Sequence, residues 1–295
     1  MGKVRFGFSS RWSLLLVTLL LPGACATSET RSGVTEIGPS YAAFYFNRGY
    51  ANASQGQYDQ AISDLTKAIE MDPRYVEAYT ERGYAYDRKG QYDRAISDHT
   101  KALEISPRYW RAYNNRGYAY FQKGQYDQAI SDFTKALEIN PWYAAAYLNL
   151  GNVHARKGQY DQAISDFTKA LEMDPRYAWA YNNRGTTHVD MGQYDQAISD
   201  FTKALEINPG DAVVYGNRGE AYFRKGQYDQ ATSDLTKALE INPRDGEVYN
   251  YRAQAYYSLK GYDKAWDDVR KAQELGANID PKFLKDLREA SGRQQ

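Results

Sequence analysis

The stretch GQYDQAISDFTKALE occurs unaltered at residues 124–138, 158–172 and 192–206, and close copies start at Gly56, Gly90 and Gly226. The spacing is a constant 34 residues. A fixed period of that length means one supersecondary unit repeated along a solenoid, in which each copy buries its apolar face only by stacking on its neighbours. Such a chain offers an extended surface for function rather than one enclosed pocket.

Aligning the copies on Pro73, Pro107, Pro141, Pro175, Pro209 and Pro243 gives seven repeats: 42–75, 76–109, 110–143, 144–177, 178–211, 212–245 and 246–279. Each holds two period-3.6 patterns, separated by a Gly near repeat position 15. The second ends where Asp, Ser or Asn precedes Pro, because the residue before proline is steered out of the α region. The first pattern, helix A, carries an aromatic at position 4, Gly or Ala at 8 and mostly Tyr or His at 11. The second, helix B, carries Ala at 20, Phe or Leu in most copies at 24 and Ala at 27. In repeat 3 these are Tyr113, Gly117, Tyr120, Ala129, Phe133, Ala136 and Pro141. That combination resembles the tetratricopeptide repeat (TPR) family over residues 42–279. The resemblance implies an all-α fold, a right-handed superhelical solenoid of seven helix-turn-helix hairpins. Repeat 7 drifts, with Ala253, Val269 and Gly276-Ala277 in place of the usual residues. Asp280-Pro281 then opens an amphipathic segment, 280–295, expected to be a capping helix and tail.

Position 7 is Arg in six repeats and position 23 is always Asp. Where position 8 of helix A meets position 20 of helix B, positions 7 and 23 also meet. The expected intrarepeat ion pairs are Arg48–Asp64, Arg82–Asp98, Arg116–Asp132, Arg184–Asp200, Arg218–Asp234 and Arg252–Asp268. In repeat 4 Leu150 faces Asp166, so that carboxylate needs another donor.

At about 100° per residue, positions 2, 6, 9 and 13 of helix A lie on the side opposite the packing stripe. In TPR proteins this second stripe lines the concave groove, so by resemblance it is the ligand face. Position 6 holds Asn47, Asn115, Asn149, Asn183 and Asn217, broken by Glu81 and Tyr251. The row looks like the asparagine ladder of O-linked N-acetylglucosamine transferases, where such residues hold the backbone of an extended peptide. A carboxamide both donates and accepts, which matches a peptide group without reading its side chain. The competing reading is that these asparagines are duplicated solvent-facing residues or partners of a neighbouring repeat. Position 9 runs from Tyr50, Tyr84 and Tyr118 to polar residues, and position 2 contributes Arg111 and Trp179. Arg88, Arg156 and Arg224 at position 13 are candidates to meet an acidic segment. A two-carboxylate clamp needs Lys at position 5, which this chain lacks.

Basic and acidic residues balance at 37 each, and the basic ones are spread through the repeats, so no electrostatic footprint for nucleic acid is present. His154 and His188 replace a core Tyr, and His99 a core Phe or Leu. Two equivalent histidines in successive repeats do not make a three-ligand zinc site. There is no glycine-rich phosphate loop and no nucleophile elbow, and no cofactor is implied. The chain reads as a non-enzyme.

Residues 1–24 read as a signal peptide: Lys3, Arg5 and Arg11 precede the apolar run 14–21, and small residues follow. Leu-Pro-Gly-Ala before Cys25, the one cysteine, resembles the lipobox of bacterial lipoproteins, although Pro22 stands where that family usually has Leu. By resemblance Cys25 is lipidated; the alternative is cleavage at Ala24-Cys25-Ala26, leaving a soluble exported protein. Residues 25–41 have no apolar period and read as a flexible tether. The expectation is a bacterial TPR lipoprotein on the periplasmic side of the outer membrane, acting as a scaffold for extended segments of other proteins. Its membrane contact would be the N-terminal lipid alone. Alternatives are a self-assembling homodimer and a non-catalytic subunit of an envelope enzyme complex.

Overall fold

The computed structural model describes residues 37–292, and residues 1–36 and 293–295, with the expected signal peptide, Cys25 and most of the expected tether, lie outside them. Fifteen α-helices and no strand occur among the described residues. The repeats are helical pairs: α1 (Ile37–Ser54) with α2 (Tyr58–Met71), α3 (Val76–Arg88) with α4 (Tyr92–Ile105), and α5 (Trp110–Gln122) with α6 (Tyr126–Ile139). There follow α7 (Ala144–Arg156) with α8 (Tyr160–Met173), α9 (Ala178–Asp190) with α10 (Tyr194–Ile207), and α11 (Ala212–Arg224) with α12 (Tyr228–Ile241). Last come α13 (Gly246–Ser258) with α14 (Tyr262–Glu274), and then α15 (Pro281–Ser291). Helix α1 begins at Ile37, inside the segment expected to be a tether. Its Pro39 falls in the first turn, where a missing N–H breaks no intrahelical bond.

The chain divides into two compact units, one up to Asn115 and one from Arg116 onward. Both are built from the same hairpin. The first helix ends because position 15 turns left-handed: Gly124 has φ 73°, and its N–H and that of Gln125 donate to Phe121 and Tyr120 at 2.9 Å each. This satisfies carbonyls that the helix end would otherwise strand. Repeat 7 is different, because its Gly has slipped one residue to Gly261 and Lys260 takes the left-handed turn at φ 60°. The second helix ends at an extended residue such as Asn140, whose N–H still reaches Ala136, just before the proline.

Within a hairpin the core is a contact of small residues walled by an aromatic. A Cβ added at Gly151 would lie 2.5 Å from Phe167, and one at Gly117 2.9 Å from Phe133 and 3.2 Å from the Ala129 carbonyl. Absence of a side chain there lets the ring lie flat on helix A, and Phe133, Phe167 and Phe201 are fully buried. In the second unit successive first helices touch, α7 with α9, α9 with α11 and α11 with α13, while second helices meet the next repeat through its first helix. The face carrying positions 6 and 9 is therefore where neighbouring first helices adjoin.

Helix α15 covers the end of the last hairpin. Asp280 caps it by accepting from the Lys282 N–H at 2.8 Å. Leu287, fully buried, with Phe283 and Leu284, packs on Ala253, Trp266 and Val269, and the Trp266 indole donates to Ser291 at 3.0 Å.

Candidate peptide-binding face

Register comes first, because it decides which side chains of helix A reach the open face. In each Arg–Asp repeat two guanidinium nitrogens grip both carboxylate oxygens: Arg184 Nε and a terminal nitrogen lie 2.8 and 2.7 Å from Asp200. The same fork joins Arg48–Asp64, Arg82–Asp98 and Arg116–Asp132. It recurs at Arg218–Asp234 and Arg252–Asp268. A fork-to-fork pair has one geometry, so it fixes how the two helices slide. At the exposed Arg48 the bond holds the Asp64 carboxyl below the usual carboxylate range. The remaining terminal nitrogen works between repeats: Arg82, Arg184, Arg218 and Arg252 donate to Thr66, Thr168, Thr202 and Thr236 of the preceding repeat at 2.9–3.0 Å. One guanidinium thus locks its own hairpin and stitches it to the one before. Thr at position 25 in each of repeats 1–6 was the available sequence signal for this stitch.

With position 7 turned into the hairpin, position 6 turns to the side where neighbouring first helices adjoin. In the second unit Asn149, Asn183 and Asn217 are half-buried there. Their carboxamides are organised head to tail. Asn217 Nδ2 donates to Asn182 Oδ1 at 2.9 Å, Asn182 to Asn183 at 3.2 Å, and Asn183 to Asn152 at 2.8 Å. Asn182, at position 5 and only 7% exposed, is the residue that orients both Asn183 and Asn217, and sequence reasoning used it only to exclude a carboxylate clamp. A primary amide has two N–H groups and an oxygen with two lone pairs. Asn183 uses one of each, accepting from Asn182 and donating to Asn152 of the neighbouring repeat, which leaves one N–H and one lone pair unused among the described residues. Trp179, 43% exposed, stands on the same helix. At the far end the ladder is interrupted: the Tyr251 hydroxyl donates to Glu220 at 2.7 Å and Arg224 Nε to the same oxygen at 2.8 Å. Burial, then the Glu220 charge, raises the Tyr251 phenol to about 12.

In the first unit the face is aromatic. Asn47 is exposed, while Tyr50, Glu81 and Tyr84 are half-buried. Asn115 accepts from Asn114, another buried position-5 amide, at 3.2 Å. Tyr50 stacks on Phe46 with centroids 6.2 Å apart, and Phe46 lies 4.9 Å from Tyr75. Arg111 is exposed, its guanidinium 5.2 Å over the Trp110 ring.

Sequence models of the tetratricopeptide repeat match residues 109–176, 142–210, 176–244 and 217–278, and a TPR repeat model matches 49–90 and 86–124. The chain belongs to the tetratricopeptide repeat family. Among solved structures, a TPR protein from Parabacteroides merdae superposes with a TM-score of 0.61, 22% identical, over 86% of this chain and 99% of its own. A thermophilic TPR protein of Thermus thermophilus gives 0.55 at 25% identity, over 61% of this chain and 98% of its own. YrrB, a TPR protein described as having an unusual peptide-binding site, gives 0.50 at 28% identity, over 66% and 97%. Comparison with curated proteins returns no match.

Several residues behave differently from their expected roles within this TPR frame. Arg224 is not held out for an acidic guest, since it is engaged by Glu220. Arg88 likewise donates to the Tyr84 hydroxyl at 3.0 Å and lies over the Tyr58 ring. The histidines are more than core fillers. His154 Nδ1 sits 2.6 Å from Asp166 and supplies the partner that Leu150 withholds. His188 Nδ1 is 2.7 Å from Gln193 Oε1. His99 is fully buried with its Nε2 3.3 Å from Asp87, and Asp87 Oδ1 and His99 Nδ1 have no hydrogen-bond partner. Among the described residues no group of three His, Cys, Asp or Glu could hold a metal, and no helix is long and apolar enough to cross a membrane.

Proposed function

We propose that this protein is a non-catalytic scaffold that holds extended segments of partner proteins against the first-helix face of its repeats. TPR domains generally bind other proteins. What carries the reading for this chain is the half-buried carboxamide row Asn149, Asn183 and Asn217, with Asn183 held by Asn182 and Asn152 so that one donor and one acceptor remain unused. A pre-oriented amide loses little entropy on meeting a peptide group, so the row favours main-chain recognition over reading of side chains. The peptide-binding site described for YrrB supports the class of ligand.

The cellular setting follows from the N-terminal sequence. The basic, apolar and small-residue order of residues 1–24 and the lipobox-like Leu-Pro-Gly-Ala-Cys25 favour export to a bacterial envelope and anchoring through a lipid on Cys25. The scaffold would then work at a membrane surface, on the periplasmic side.

The test is a titration of fluorescent unstructured peptides, selected on the wild-type protein, against wild type and Asn149/Asn183/Asn217→Ala. Loss of at least roughly tenfold in affinity, about 1.4 kcal/mol, with unchanged helicity supports the reading, and equal affinity for both proteins refutes it. Membrane fractionation of cells expressing wild type or Cys25→Ser tests the anchor: the variant leaves the membrane fraction if the lipid assignment is right.

A further inference from the structure

Position 6 of repeat 2 breaks the amide row with a charge. Glu81 is half-buried, and among the described residues it makes no hydrogen bond and no ion pair. This sets it apart from the equivalent junctions of the second unit. At two of them position 9 of one repeat closes onto position 6 of the next, Asn152 onto Asn183 at 2.8 Å and Glu220 onto Tyr251 at 2.7 Å, and between repeats 5 and 6 the position-6 residue Asn217 reaches Asn182 instead at 2.9 Å. The corresponding residues in the first unit are Tyr50 and Glu81. Tyr50 instead stacks on Phe46, and the carboxylate is left over.

A carboxylate drawn partly out of water without a donor is unfavourable, and burial indeed pushes the Glu81 carboxyl up. Arg111 and, less, His99 offset that cost only in part. Arg111 attracts Glu81, and its guanidinium lies over the Trp110 ring at 5.2 Å without reaching the carboxylate in a hydrogen bond or ion pair. Tyr84 stands one turn on along the same helix, its outer end met by Arg88, and Tyr50 of the preceding repeat holds the position whose counterparts Asn152 and Glu220 reach position 6 of the next repeat. A carboxylate beside aromatic walls is the chemistry that receives a lysine or arginine side chain: the alkyl stem lies along the rings while the cation meets the charge.

We propose that Glu81 is the specificity-determining residue of the first unit's face, selecting extended segments that place a lysine or arginine beside Tyr50 and Tyr84. This rests on the peptide-scaffold reading above. The amide row would hold main chain without regard to sequence, and Glu81 would set which register of which segment is held.

The experiment is selection of a phage-displayed library of unstructured twelve-residue peptides on the wild-type protein, Glu81→Asn and Glu81→Lys. Asn is the residue that five other repeats carry at this position, so that variant keeps the fold, which circular dichroism checks. The expected result is a Lys or Arg preference at one peptide position with wild type, its loss with Glu81→Asn, and an Asp or Glu preference in its place with Glu81→Lys. For a wild-type hit, Glu81→Asn should weaken binding about tenfold, and replacing the basic residue of that hit by Ala should weaken wild type equally but leave Glu81→Asn unchanged. A wild-type pool without basic preference, or the same preference persisting in Glu81→Asn, overturns the proposal while leaving the scaffold reading standing. Failure of all three proteins to enrich any peptide overturns both.

Discussion

The buried Asp87–His99 pair in repeat 2 offers the sharpest test of how charge is tolerated inside these hairpins. His99 is fully buried and Asp87 is 6% exposed, and they meet at 3.3 Å with one polar atom of each unsatisfied. Replacing His99 by Phe, the residue of repeats 3–5, fills the same space over Gly83 that Phe133 fills over Gly117, so packing is kept and only the partner is lost. A buried charge stripped of its partner costs about 3–5 kcal/mol. An independent ceiling comes from neutralising it: protonating a carboxylate of ordinary pKa near 3.9 at pH 7 costs about 4 kcal/mol at 1.36 kcal/mol per unit. Burial already raises the Asp87 carboxyl and His99 pulls it back, so the variant raises it further. The sign follows: a folded-state pKa above the unfolded value favours folding at low pH and loses that contribution as pH rises through it. His99→Phe should therefore lose about 3–4 kcal/mol at pH 7 and much less near pH 4. The double variant Asp87→Ala/His99→Phe should return to wild-type stability or exceed it, because an apolar pair replaces a buried polar pair with one atom of each unsatisfied. Guanidinium unfolding followed by circular dichroism reads the loss, and hydrogen exchange of α3 and α4 amides assigns it to this repeat, since stability in a solenoid is a sum of local terms. A single variant as stable as wild type at pH 7, or a double variant worse than the single one, would refute the reasoning.

Three further outcomes are expected. Gly151→Ala places a Cβ 2.5 Å from the Phe167 ring and should lower stability by about 1–3 kcal/mol, with Gly124→Ala costing about 1 kcal/mol through its left-handed turn alone; thermal melts compare the two. Lys260→Gly, which restores the turn residue of the other repeats at φ 60°, should stabilise by about 1 kcal/mol, and a lower melting temperature would contradict the strain. Glu220→Gln should bring the Tyr251 phenol down from about 12 in a pH titration of its Cζ resonance, and an unmoved titration would show that burial alone sets it.

The hairpin was legible because its code is redundant. Gly117 against Ala129, the Phe or Leu that most copies carry at position 24 and the prolines at position 32 each name the same two helices, so no single residue had to be decisive. The Arg–Asp partners could also be named, since the meeting of positions 8 and 20 dictates that of 7 and 23. What the sequence hid were the bonds that depend on side-chain direction across repeats. The Arg184–Thr168 stitch and the Asn217–Asn182–Asn183–Asn152 chain are set by which way each side chain leaves its helix, and no periodic hydrophobic signal marks them. Asp87, alone at position 12 as a charge, gave a hint of a buried partner, but its match to His99 needs the rotation of both helices. The start of α1 at Ile37 was hidden for a different reason: residues 37–40 fall before the first aligned copy, so no repeat template reached them.

The most direct measurement is a crystal structure of the protein with a peptide selected on it. The account predicts an extended main chain lying on the first-helix face, with peptide groups donating to and accepting from the Asn183 and Asn217 carboxamides. A peptide bound as a helix, or seated on the second helices away from those asparagines, would contradict it.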